Sequence, residues 1–99
     1  MNTIEYINAV KEKCHITSDY AVAKELRVTK QSMSRYARGT GHFDDDVCVR
    51  VAEILGIHPG IVIIDMHKLR TSSPLQESIW GDIAKGFLSL LLPAKRTLV

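Results

Sequence analysis

The chain has 99 residues, a formal charge of +2 at pH 7, and 45% hydrophobic and 24% charged side chains. That is the composition of one ordinary globular domain, with little room for an enzyme cleft plus a second domain, and it is too mildly basic for net charge alone to identify a nucleic-acid binder. The distribution says more. Residues 1–40 carry seven basic side chains against four acidic ones, and residues 41–70 carry three against five, so positive charge gathers in the first forty residues.

Met1 to Val10 has neither the basic start nor the sustained apolar run of a secretory leader. The expected location is a reducing cytoplasm, that of a bacterial host cell, with Cys14 and Cys48 as free thiols. A metal reading would gather Cys14, His15, His42 and Cys48, but none of the short paired spacings of a zinc site is present. No metal and no cofactor is expected.

Thr3 to Cys14 reads as a first helix. Asn2 or Thr3 can cap it, Glu5 faces its positive end, and Ile4, Ile7, Val10 and Lys11 mark one stripe, with Tyr6 and Cys14 beside it. Asp19 to Gly39 reads as two short helices joined by a tight turn. Ser18 caps the first, in which Val22, Ala23 and Leu26 recur at helical spacing, and Val28 closes the turn. Thr29 caps the second, whose apolar positions are Met33, Tyr36 and Ala37. Its other faces carry Lys30, Gln31, Ser32, Ser34, Arg35 and Arg38, which are amide, hydroxyl and cationic groups suited to base edges and phosphates.

This stretch resembles the helix-turn-helix of phage repressor and Cro-like (lambda-repressor-like) proteins. Ala23 sits where that family wants a small residue at the helix crossing, Leu26 and Val28 flank the turn, and Met33 and Tyr36 are the inward positions of the second helix. The departure is Arg27, where the family usually has glycine because the position needs positive φ. The resemblance implies that Lys30, Gln31, Ser34 and Arg35 face the floor of the major groove. Thr29, Ser32 and Arg38 would then lie nearer phosphates, and the loop that follows would add contacts from Thr40, His42 and the backbone N–H groups between them.

After the loop GTGHF, three consecutive carboxylates, Asp44 to Asp46, invite a metal or catalytic reading. A helix start explains them better, because free first-turn N–H groups favour negative charge. Val47, Cys48, Val51, Ala52 and Leu55 make the buried stripe of that helix, and Gly56 stops it. Pro59 then suits a helix start, although Ile61 to Ile64 is also a strand signal; helix is favoured because DMHKLR follows with no turn signal. Thr71 to Pro74 is the clearest break, dividing a DNA-binding unit over residues 1–70 from an extension over 71–99. Ser73 can cap a last helix with Pro74 in its first turn. Leu75, Ile79, Ile83 and Phe87 follow four apart, flanked by Trp80, Ala84 and Leu88 to Leu92. That apolar stretch is far short of the roughly 20 residues needed to cross a bilayer. The tail from Ala94 to Val99 reads as loose.

The expected fold is all-α, a lambda-repressor-like bundle of about five helices plus a C-terminal amphipathic helix. The segment from Met66 to Phe87 resembles the C-terminal extension of small helix-turn-helix regulators of filamentous phages. Its apolar stripe is larger than one small domain can bury, so Leu75, Ile79, Trp80, Ile83 and Phe87 are expected to pair with a second copy. No nucleophile elbow or glycine-rich phosphate loop is present, and His15, His42, His58 and His67 are scattered, so no enzyme is expected. Nothing points to a small-molecule ligand or a membrane. Two functions remain: a transcriptional regulator dimerising on a palindromic double-stranded DNA operator, or a protein-interaction module of antitoxin or adaptor type working through the last helix.

Overall fold

Each helix begins at a side chain able to accept the free N–H groups of its first turn. In the computed structural model, which describes residues 1–91, Asn2 caps α1 (Thr3–Cys14) in a reciprocal capping box with Glu5. Ser18 caps α2 (Asp19–Leu26), Thr29 caps α3 (Lys30–Ala37) and Asp44 caps α4 (Asp45–Leu55), each through its side-chain oxygen. His58 caps α5 (Pro59–Arg70) through Nδ1, and Ser73 caps α6 (Pro74–Leu90). The described residues are all-α, and the segment 60–66, open between helix and strand, is helical.

The ends of these helices are also local in origin. Gly56 closes α4 at φ 70°, and Arg27 closes α2 at φ 58°, a left-handed conformation held by a residue with a Cβ. His15 closes α1 in the same conformation.

The core lies where α1, α2, α3, α4 and α5 meet. Ile7 and Val10 of α1, Val22, Ala23 and Leu26 of α2, and Met33 and Tyr36 of α3 are buried in one cluster with Val47, Cys48, Val51 and Ala52 of α4 and Val62 and Met66 of α5. Several positions differ from the sequence reading. Ile4 lies on the surface beside Gly39, while Thr3 and Tyr6 are buried. Tyr6 can enter the core because its hydroxyl donates to Asp65 at 2.5 Å, so the polar end keeps a partner. Leu55 is half-buried rather than central. Phe43, in what read as a plain loop, is fully buried with its ring edge-on to Tyr36 at 5.0 Å and tilted against Tyr6 at 6.2 Å.

α6 packs on α5 alone among well-formed helix pairs. Trp80 stacks flat on His67 at 4.8 Å, and Phe87 meets His58 edge-on at 5.1 Å. Gly60 makes the second contact possible, since a Cβ there would fall 2.5 Å from the Phe87 ring. The expected single stripe is therefore split. Trp80 and Phe87 turn onto the chain's own α5, while Leu75, Ile79 and Ile83 remain exposed. The cause is geometric: steps of four residues overshoot the 3.6-residue turn, and over three steps the stripe rotates by about a third of a turn. Leu92 of the expected contact surface and the tail from Ala94 to Val99 lie outside the described residues.

Candidate nucleic-acid interface

α3 is held by its apolar edge. Met33 and Tyr36 are buried, so the opposite face turns outward and carries Gln31, Arg35 and Arg38, with Lys30 and Ser34 beside them; all five are exposed. The helix is short, and its start is fixed by Thr29, whose Oγ1 accepts from Ser32 N–H at 3.1 Å.

A hydroxyl network runs along one edge of this helix. Thr29 Oγ1 donates to Ser32 Oγ at 3.1 Å, and Arg35 Nη2 donates to the same oxygen at 3.4 Å. Burial pushes the Tyr36 phenol up, aided by the Asp44 carboxylate, while the nearby Arg35 guanidinium and Ser32 hydroxyl oppose the shift. Arg38 Nη1 folds back onto Ser34 Oγ at 3.0 Å. Both arginines thus lie along the helix towards its N-terminus and are steadied by neighbouring hydroxyls, with donors left over because each guanidinium has five.

The expected phosphate contacts fare differently. Arg38 is exposed and keeps donors to offer. The hydroxyl hydrogen of Thr29 goes to Ser32 Oγ, which also accepts from Arg35. Thr40 Oγ1 donates to the Arg35 carbonyl at 3.3 Å, and the N–H groups of Thr40 and Gly41 go to that same carbonyl at 3.1 and 3.2 Å. A phosphate contact from the Thr40 or Gly41 backbone is therefore not on offer, because those donors close the end of α3. His42 is half-buried with Nδ1 enclosed and unpartnered among the described residues, so an outside contact falls to Nε2.

The cations of this surface stand without acidic partners among the described residues. The two acids of α2 are drawn off to cations on other helices: Lys11 of α1 holds Asp19 at 2.9 Å, and Arg50 of α4 approaches Glu25 at 3.6 Å while donating Nε to the Glu25 carbonyl at 2.7 Å. None of Lys24, Arg27, Lys30, Arg35 and Arg38 is ion-paired among the described residues. Three residues of this surface were given no contact role in the sequence reading. Lys24 lies over the exposed ring of Tyr20 at 5.1 Å, and Arg27 stands on the turn beside them. The four-residue spacing of Tyr20 and Lys24 on one helix was the available signal.

Among the described residues no group of three His, Cys, Asp or Glu side chains is placed to hold a metal ion, and no helix is long and apolar enough to cross a membrane. The chain is 29% identical over 83 residues, 79% of its own length and 89% of the relative's, to an uncharacterized protein Gp-c of Pseudoalteromonas phage PM2. No family model matches the chain, and no solved structure matches it significantly.

Proposed function

We propose that this chain is a sequence-specific regulator of transcription that reads the major groove of double-stranded DNA with α3. The observation that carries the reading is the outward face of α3. Gln31 and Arg35 stand opposite the buried Met33 and Tyr36, flanked by Lys30, Ser34 and Arg38, on a surface whose own acids are neutralised from behind. Glutamine pairs bidentately with adenine and arginine with guanine, and unopposed cations supply the salt-dependent attraction to phosphates. A phage or prophage repressor of Cro-like type fits the phage origin of the relative, and the host cytoplasm is then the working compartment.

The proposed operator is palindromic. A second copy docked on Leu75, Ile79 and Ile83 across a two-fold axis would present two α3 helices to half-sites about 34–36 Å apart. The same exposed residues support a second reading, in which α6 is the working surface of an antitoxin or adaptor and α3 is silent. Genomic DNA fragments selected by the purified protein at two salt concentrations separate the two. The regulator yields an inverted repeat whose retention falls steeply with salt. No enrichment at either salt sinks it.

A further inference from the structure

A groove of about 600 Å³ runs between α2 and α3 beside their turn. Ala23, Val28, Met33 and Ala37 give it an apolar lining, and Lys24, Arg27, Lys30 and Arg38 rim it. The one carboxylate on its wall, Asp19, is already held by Lys11 at 2.9 Å. The Tyr20 ring, 71% exposed with the Lys24 ammonium over it, forms a side wall.

Phosphates of a duplex can meet that rim, but they cannot fill its apolar interior. A guest that satisfies both parts has an apolar body and one negative group. The volume lies within the 300–1,000 Å³ typical of small-molecule sites. Burying an apolar body against Met33 and Val28 supplies affinity, and the rim selects the sign of charge. We infer that this groove binds a small anionic amphiphile, an aromatic or acyl carboxylate or sulfonate. Lys30, Ser34 and Arg38 line the groove and also belong to the face assigned to DNA, so occupancy and duplex binding exclude each other. The ligand site stands on the groove alone; the exclusion rests on the DNA reading above.

The test uses 8-anilinonaphthalene-1-sulfonate, an anionic aromatic dye that fluoresces on leaving water, titrated against the full chain. The expected result is saturable enhancement in the wild type. Ala37→Trp, which plugs the groove from an exposed helix position, abolishes it, and Lys24→Gln, a surface change that leaves the fold untouched, weakens the apparent Kd by about tenfold, the effect of one lost charge-assisted contact. Ile83→Ser leaves the signal in place. Enhancement that survives Ala37→Trp and Lys24→Gln, or disappears with Ile83→Ser, places the dye on α6 and overturns the assignment. Displacement of the dye by an acidic amphipathic peptide but not by decanoate overturns it in favour of a protein guest. In a second arm the dye competes with a fluorescent random-sequence duplex at low salt. Displacement of the duplex is expected. Simultaneous binding of dye and duplex overturns the exclusion, whereas a chain that binds dye but no duplex at all leaves the groove standing and removes the DNA reading.

Discussion

The guanidinium of Arg70, on the last turn of α5, donates to the backbone carbonyl of Phe43 at 2.5 Å. The bond spans 27 residues and fixes the loop that carries Phe43 into the core and connects α3 to α4. Arg70→Ala leaves that carbonyl with only the long, weak Cys48 thiol donor at 4.0 Å, at a cost of about 1–3 kcal/mol. The expected outcome is a lower midpoint in urea with secondary structure retained by circular dichroism. An unchanged midpoint would mean that water replaces the guanidinium without loss.

Arg35 and Arg38 are both steadied by serine hydroxyls, yet they differ in place. Arg35 lies with Gln31 on the outward face, whereas Arg38 caps the helix end next to Gly39. Arg35→Ala is expected to cost about 1–3 kcal/mol on the selected operator and to relax preference at one base pair; Arg38→Ala is expected to weaken all duplexes alike and flatten the salt slope. Fluorescence anisotropy on specific and scrambled duplexes reads both. Equal losses on the two duplexes for Arg35→Ala would remove it from the base-reading set.

The parts of this fold legible in the sequence are those decided within a few residues. Ser18, Thr29, Asp44 and Ser73 mark helix starts because capping needs only the side chain and the next turn, and Pro59 resolves 60–66 as helix for the same reason. What escaped depends on distant partners. Phe43 has no periodic neighbours, and its burial is set by Tyr6, Tyr36 and Arg70. Tyr6 ranks below Ile4 by hydropathy, but Asp65, 59 residues away, accepts a hydrogen bond from its hydroxyl. The outward face of α3 was legible from Met33 and Tyr36. The commitment of the Thr40 and Gly41 amides to the Arg35 carbonyl was not, since it depends on how the chain turns after Gly39. Nor was the groove, which exists only once α2 and α3 are packed.

Arg27 holds a left-handed conformation at φ 58° with a Cβ in place, a strain of about 1–2 kcal/mol that glycine would not carry. Glycine also loosens the unfolded chain, which offsets part of the gain. Arg27→Gly is expected to raise thermal stability by up to about 1 kcal/mol while weakening low-salt duplex binding through the lost cation. Arg27→Val should lower stability, because a β-branched residue tolerates this region poorly. Paired thermal melts decide the point, and a Val variant as stable as Gly would show that the turn relaxes out of the left-handed region.

Burial pushes the Cys48 thiol up to about 12 from its ordinary value near 9, with the Asp45 carboxylate adding to it. The Tyr6 and Tyr36 phenols are raised as well, burial being the first cause of each. These groups stay protonated in the fold above the pH at which the unfolded chain releases their protons, so unfolding releases protons there and alkali favours the unfolded state. Below about pH 9 they leave stability independent of pH. From about pH 9 stability should fall by up to about 1.4 kcal/mol per pH unit for Cys48, more steeply past 10 as the two phenols join. Urea unfolding across this range, repeated on Cys48→Ala, should show a shallower fall between 9 and 10 in the variant. A flat profile in the wild type would contradict the burial of all three groups.

The outer face of α6 exposes Leu75 at 70%, Ile79 at 48% and Ile83 at 45%, while Trp80 and Phe87 are occupied by His67 and His58 of the same chain. The two halves of the helix therefore have separate tasks: the inner half anchors it to α5, and the outer half remains as a strip along its length. Left in water, such a strip is an association site. Asp82 and Lys85 are the only charged side chains between Ser78 and Leu91, which gives a membrane surface little to hold and a second α6 little to repel. The expected species is a homodimer with the two α6 helices packed across a two-fold axis. Ile83→Asp should give a monomer whose α2–α3 pair is still folded and whose operator affinity falls, whereas Trp80→Ala should detach α6 from α5 and lower stability first. Analytical ultracentrifugation at micromolar concentration separates these outcomes. A wild-type monomer there would mean that the strip is too short to hold two copies without DNA, and the dimer would then have to appear in the same experiment when operator duplex is added.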